Sequence, residues 1–186
     1  MAVAQQMSVA DYERFVLSSV DGAWELHNGV LVEKLRMGVE HGVIPKLLAH
    51  LLLSQIDRSQ FQVIGDVRVR RAPANVFLPD LMVITAAQYE AFRGRPGTLA
   101  IFPDPIPLVV EVWSPSTGDY DVDTKIPVYK ERGDLEIWRI HPHERTLTSW
   151  VRQPDGSYAE TVYRGGAIAL AAVPGATVDF DELFDI

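Results

Sequence analysis

The segment 108–113, LVVEVW, constrains the fold of this chain more than any other. Its residues other than Glu111 are apolar, which is typical of a strand buried on both faces in the middle of a sheet. An isolated ionised carboxylate would be costly to desolvate at such a position. Glu111 must therefore be paired with a cation, protonated or bound to a metal ion.

Length and composition restrict the class of protein. The chain has 186 residues, which predicts one domain over residues 1–186, with residues 1–6 disordered. It contains no cysteine, so disulfides, thiolate zinc sites and thiol nucleophiles are excluded. The formal net charge of −8 argues against a protein that coats nucleic acid by bulk charge, although a local basic strip remains compatible with it.

The sequence predicts neither a membrane-spanning segment nor an export signal. No apolar run approaches the roughly 20 residues that cross a bilayer, and the first residues lack a basic region followed by an apolar core. We expect a cytoplasmic protein with no membrane partner.

The N-terminal half is predicted to hold a hairpin and the main helix. Segment 24–33 contains two strand-like pieces joined by Asn28-Gly29, a dipeptide that favours a tight turn. Apolar residues recur at helical spacing over 40–58, and Pro45 fits if the helix begins near residues 40–42, so that the proline lies in the first turn.

Strands follow along the rest of the chain. Segment 66–71 alternates valine with arginine, which predicts a sheet face exposed to water. Further strands are predicted at 61–64, 81–84, 108–113 and 135–140, a helix at 124–132, and a C-terminal hairpin over 146–163. The fold class is therefore α/β, with a mixed central sheet flanked by helices, an N-terminal hairpin and a C-terminal β-hairpin.

Three residues could share a chemical site. Asp80 begins one predicted strand and Glu111 lies within another, so two carboxylates from neighbouring strands could bind Mg²⁺. Lys125, at the start of the following helix, could return to the same pocket and orient a water or stabilise charge on a phosphate. The alternative is a structural ion-pair network without a metal ion.

The order of several motifs resembles the Uma-type family, long catalogued as a domain of unknown function and similar to the PD-(D/E)xK restriction-endonuclease-like superfamily. The resemblance covers nearly the whole chain. It rests on WELHNGVLVE, the helix opened by Glu40-His41, LPDLMVI, PLVVEVWSPST, DVDTKIPVYKERGDLEIWRI and VPGATVDFDELF. It implies a restriction-endonuclease-like mixed sheet flanked by helices.

The resemblance also implies roles for individual residues. Asp80 matches the metal-binding aspartate and Glu111 the acid of the (D/E)xK element. Trp113 stands where the lysine of that element would be, and Lys125 matches a lysine displaced to the next helix. Further matches are Asp121, Glu40, His41 and Glu25, of which Glu25 has the alternative role of anchoring the hairpin.

The arginines of segment 66–71 are candidate phosphate contacts. Arg68, Arg70 and Arg71 could present guanidinium groups to a nucleic-acid backbone. The alternative is a solvated strand face whose charges deter aggregation.

We therefore expect a metal-dependent nuclease that hydrolyses phosphodiester bonds with Mg²⁺, for which Mn²⁺ could substitute. Nucleic acid is the expected partner, with DNA favoured over RNA, and a homodimer is left open. A non-catalytic binding or assembly module that keeps the fold is the alternative. A metal-dependent hydrolase of another phosphorylated substrate is a third hypothesis.

Overall fold

The computed structural model describes residues 6–18, 21–34, 38–116 and 118–185. Residues 1–5, most of the segment expected to be disordered, lie outside the described residues. The helices are α1 (Val9–Leu17), α2 (Val39–Leu53), α3 (Ala86–Phe92), α4 (Gly118–Tyr120), α5 (Ile126–Arg132) and α6 (Phe180–Leu183), with a π-helical turn at Asp121–Lys125. The strands are β1 (Trp24–His27), β2 (Val30–Glu33), β3 (Phe61–Ile64), β4 (Arg68–Arg71), β5 (Asn75–Phe77), β6 (Leu81–Thr85), β7 (Ile101–Phe102), β8 (Leu108–Val112), β9 (Glu136–His141), β10 (Thr146–Arg152), β11 (Tyr158–Tyr163), β12 (Ala167–Ala169) and β13 (Thr177–Asp179).

The main sheet has six strands in the order β11-β10-β9-β8-β6-β3. Strands β8 and β9 are parallel, and the other neighbouring pairs are antiparallel. This mixed sheet and the two hairpins, β1–β2 and β10–β11, confirm the predicted fold class.

Strand β8 is central and buried on both faces, as its apolar sequence predicts. Leu108, Val110 and Val112 pack on the side of α2. Val109 packs on the opposite side, with β4, β5 and α5. Because side chains alternate along a strand, Glu111 points to the same side as Val109, between the main sheet and α5.

A second sheet has the order β2-β1-β5-β4-β7. It packs on the main sheet through Val69 and Phe77. The sequence did not indicate β5 and β7, which have three and two residues. Such short strands carry little periodic pattern and depend on their neighbours for hydrogen bonds.

The bounds of α2 differ from the prediction. The helix begins at Val39 after Gly38, whose φ is 97°, and Pro45 therefore lies beyond the first turn. Since proline has no N–H, it cannot donate to the carbonyl of His41, four residues earlier. The helix ends at Leu53 rather than near Arg58, and Asp57 accepts hydrogen bonds from Ser59 in a local turn that follows it.

The helix that carries Lys125 also begins earlier than predicted. The chain is helical from Gly118, and Thr124, the first residue of the predicted helix, lies inside the π-helical turn. The amide of Ile126 donates to the carbonyl of Asp121, five residues back, and Pro127 follows directly. The wider turn lets the chain accommodate a proline that a regular α-helix would exclude. The helix α5 ends at Arg132, the predicted bound, and is followed by Gly133, whose φ is 83°.

The expectation that Arg68 lies on a wet strand face is wrong. Arg68 is buried, and its Nε donates to the hydroxyl of Tyr12 at 2.8 Å. Tyr12 belongs to α1, which covers this part of β4. Arg70 and Arg71 are exposed, as the prediction required.

No helix in the described part of the chain combines the length and the apolar content that a membrane span needs.

Candidate active site

Asp80 and Glu111 face each other across two neighbouring strands. Leu81 of β6 pairs with Val110 of β8, and the same antiparallel register places Asp80 opposite Glu111. The Asp80 side chain is 5% exposed and the Glu111 side chain 0%. Since like charges directly opposite destabilise a sheet, the pair requires a compensating cation.

Asp80 is held by the backbone of the opposite strand and by a lysine. Its Oδ2 accepts a hydrogen bond from the amide of Val112 at 2.7 Å, and its Oδ1 lies 2.8 Å from Nζ of Lys34. Burial raises the pKa of Asp80, but Lys34, His41 and Lys125 together outweigh burial and hold the pKa below its ordinary value. Asp80 is therefore ionised at neutral pH.

Glu111 has three donors around its carboxylate. The hydroxyl of Tyr129 donates to Oε1 at 2.6 Å, Nζ of Lys125 lies 3.3 Å from Oε1, and Nζ of Lys34 lies 3.4 Å from Oε2. Burial raises the pKa of Glu111 in spite of the two lysines. The carboxylate is thus held in place by the side chains of separate elements.

Lys125 is completely buried at the end of the π-helical turn. Its Nζ lies 3.0 Å from Oε1 of Glu25 and 3.1 Å from Oδ1 of Asp121, in addition to its contact with Glu111. Burial alone would lower the pKa of Lys125, but Glu111, Glu25 and Asp121 outweigh it and raise the pKa well above its ordinary value. The three carboxylates therefore favour the charged form of Lys125.

Glu25 and Asp121 both hold Lys125. Oε1 of Glu25 also accepts a hydrogen bond from the amide of Leu78 at 2.8 Å, so this residue links β1 to the chain that leads into β6. Burial raises the pKa of Asp121, which lies one helical turn from Lys125. The structure thus brings Glu25, Asp80, Glu111, Asp121 and Lys125 into one cluster.

His41 lies at the edge of this cluster and Glu40 does not join it. Nε2 of His41 is 3.4 Å from Oδ2 of Asp80 but forms no hydrogen bond, although the residue is only 4% exposed. Glu40 is half-buried in the first turn of α2, and none of the described contacts links it to the cluster.

A cleft of about 300 Å³ opens beside Asp80. His41, Lys46, Gly65 and Asp66 line it, together with other residues from α2 and β3. Glu111 and Lys125 lie behind Asp80 and are closed to solvent. A ligand would therefore approach the cluster past His41 and Asp80.

The exposed arginines lie at a different place. Arg70 and Arg71 line a second cleft, together with Pro73 and Glu131, and this cleft shares no lining residue with the cleft at Asp80. The structure therefore does not bring Arg70 and Arg71 to the cleft beside Asp80.

Two residues of the cluster were missed from the sequence, Lys34 and Tyr129. Tyr129 follows Lys125 by four residues, so a shared helix face was a signal that could have identified it. Lys34 comes directly after β2, and no local sequence pattern indicates that its side chain reaches Asp80.

The donor chemistry fits a hard divalent cation. Carboxylate oxygens of Asp80 and Glu111 both face Nζ of Lys34, and Nε2 of His41 lies beside Oδ2 of Asp80. Among the described residues no three acidic, histidine or cysteine side chains already converge as a cation site. The ammonium of Lys34 lies between the two carboxylates instead.

Replacing Tyr129 with phenylalanine should destabilise the protein by about 1.5–3 kcal/mol, because it removes a buried donor to a carboxylate. Urea unfolding measures this change. Tyr163→Phe, on the outer strand β11, is the matched control and should have a small effect. Equal stability of the two variants would contradict the role of Tyr129 in holding Glu111.

Comparisons with known proteins agree with this architecture. A crystal structure from Anabaena variabilis, titled as a putative nuclease belonging to DUF820, superposes with a TM-score of 0.77 at 17% identity. The match covers 96% of this chain and 97% of that chain, and at this identity it shows the shared fold. No curated protein matches this chain. The Uma2 family, described as "Putative restriction endonuclease", matches residues 9–181. The chain therefore belongs to the Uma2 family.

Proposed function

We propose that the protein is a nuclease that hydrolyses phosphodiester bonds with a divalent cation held by Asp80 and Glu111. The observation that carries this proposal is the opposed pair of buried carboxylates on β6 and β8, with a lysine from a third element beside Glu111. Family membership supports nucleic acid as the substrate. We expect Mg²⁺ as the cation, with Mn²⁺ able to replace it, and DNA in preference to RNA.

Each residue of the cluster has a distinct task in this proposal. Asp80 is ionised and lies at the cleft, so it would meet the cation first. Glu111 offers the second carboxylate, which Tyr129 holds through Oε1. When bound, the cation would supply Lewis acidity toward a phosphate oxygen and toward the attacking water.

Lys125 works through Glu111. All three carboxylates around its ammonium lie within 3.3 Å, so its N–H groups are directed at protein acceptors rather than at a substrate. It fixes the position of Glu111 and offsets part of the negative charge that a phosphate would meet. Glu25 and Asp121 fix the position of Lys125 in turn.

A structural role for the cluster is the second candidate. Lys34 lies between Asp80 and Glu111, as it would in an ion-pair network that needs no metal ion. Thermal unfolding of Asp80→Asn distinguishes the two candidates. Divalent cations should raise the melting temperature of the wild type more than that of the variant if the site binds a cation. Equal melting temperatures of the wild type with and without cations favour a non-catalytic module.

A substrate panel tests the reaction. Duplex DNA, single-stranded DNA, RNA and the small phosphodiester bis(p-nitrophenyl) phosphate are each incubated with Mg²⁺ or Mn²⁺. We expect cleavage of nucleic acid that Asp80→Asn abolishes. Turnover of the small ester alone would favour a different phosphodiesterase, and no cleavage of any substrate would contradict the proposal.

A further inference from the structure

Lys34 spans the gap between the two opposed carboxylates. Its Nζ donates to the carbonyl of Leu78 at 2.6 Å and lies 2.8 Å from Asp80 and 3.4 Å from Glu111. An ammonium has three donors, and here each one has an acceptor. The side chain is 2% exposed, so its charge is compensated almost entirely by these protein groups.

The cluster keeps an excess of negative charge even with Lys34 in place. Four carboxylates face two ammonium groups, which leaves a formal charge of −2 when His41 is neutral. A divalent cation carries the charge that would balance this excess. An ammonium carries a charge of +1, which is half of that of a divalent cation. A divalent cation should therefore compete with Lys34 for the same carboxylate oxygens.

The two cations cannot occupy one position. Magnesium takes oxygen ligands at roughly 2.0–2.1 Å, closer than an ammonium approaches its acceptors. Lys34 now holds the oxygens of Asp80 and Glu111 at 2.8 and 3.4 Å from its own nitrogen. A cation between these oxygens would draw them inward and bring its charge against that of Lys34.

We propose that Lys34 is an internal counter-cation, which lies between Asp80 and Glu111 and withdraws when a divalent cation binds. This inference rests on the proposed function, because it concerns the same pair of carboxylates. His41 marks the side from which a ligand would reach this pair, since its buried Nε2 lies at the mouth of the cleft, 3.4 Å from Oδ2 of Asp80. Lys34 thus stabilises the carboxylate pair until the cation arrives, and its displacement lowers the net affinity for the cation.

Calorimetric titration with Mn²⁺ tests the competition. Lys34→Gln removes the charge that would repel the cation and keeps a polar group, so Mn²⁺ should bind with a Kd at least about tenfold lower than in the wild type. Lys46→Gln, in the same cleft but outside the carboxylate pair, is the matched control and should leave the Kd unchanged. An unchanged or higher Kd in Lys34→Gln, or no binding to either protein, overturns the inference.

A second measurement uses the wild type and does not depend on the folding of a variant. Acylation of lysine amines, followed by mass spectrometry, should modify Lys34 slowly without a cation and several-fold faster with saturating Ca²⁺. Lys46 is exposed and should react at the same rate in both conditions. If calorimetry shows Ca²⁺ bound while Lys34 stays equally protected, the withdrawal is wrong.

The failures of the two proposals can be told apart. Nucleic-acid cleavage by the wild type together with an unchanged Kd in Lys34→Gln would overturn only the role of Lys34. Tighter binding in Lys34→Gln without cleavage of any substrate would support the role of Lys34 and contradict the nuclease.

Discussion

Replacing Lys125 with methionine should lower the free energy of unfolding by about 3–5 kcal/mol, because it leaves buried carboxylates without a partner. Glu25, Glu111 and Asp121 all face this ammonium, and the Lys125 side chain is 0% exposed. For a chain of this length the melting temperature should fall by about 10 °C. Nuclease activity should fall as well, because Glu111 would lose the group that holds it.

Urea unfolding and a thermal melt measure the effect of Lys125→Met. Lys46→Met removes a lysine of the same size from an exposed position and should change the stability little. Lys125→Arg keeps the charge and should recover part of the lost stability. A loss in Lys125→Met no greater than in Lys46→Met would contradict the buried ionic cluster.

Replacing Glu111 with glutamine should abolish activity while leaving the protein folded. The new amide oxygen could still accept the hydrogen bond of Tyr129, Lys125 would keep Glu25 and Asp121, and Lys34 would keep Asp80. Burial raises the pKa of Glu111, so the ionised form is already disfavoured within this negative cluster. Replacing the carboxylate with a neutral amide should therefore change the free energy of unfolding by only about 1–2 kcal/mol. Activity should fall at least about 100-fold, since even residues that support a metal ligand cost up to that factor.

The comparison of Glu111→Gln with Lys125→Met separates chemistry from stability. Cleavage rates and urea unfolding are measured on the same preparations. Glu111→Gln should lose activity at nearly unchanged stability, whereas Lys125→Met should lose both. A Glu111→Gln protein with wild-type cleavage would remove Glu111 from the reaction.

The strands that build the site could be predicted because their sequences are strongly patterned. LVVEVW has to be buried, so the central place of β8 and the burial of Glu111 followed from solvation alone. The start of β6 directly after Asp80 was also visible in the sequence. The opposition of Asp80 and Glu111 depends on strand register, which the sequence leaves open until β6 and β8 are known to pair.

The remaining differences arise from tertiary contacts that local patterns do not encode. Arg68 looks exposed by alternation, but α1 covers it and Tyr12 accepts its hydrogen bond. Lys34 lies far from Asp80 in sequence, and only the packing of the hairpin against the main sheet brings them together. The π-helical turn before Pro127 likewise depends on the path of the chain around Lys125.

Addition of metal to protein stripped by EDTA tests the central claim most directly, namely that Asp80 and Glu111 hold a cation that drives phosphodiester hydrolysis. Single-turnover cleavage of the nucleic acid preferred in the substrate panel is followed as Mn²⁺ is titrated back into the wild type and Glu111→Gln. We expect a rate that rises with Mn²⁺ to saturation in the wild type and no measurable rate in the variant. Equal rates in the two proteins, or a wild-type rate indifferent to EDTA and Mn²⁺, would contradict the account.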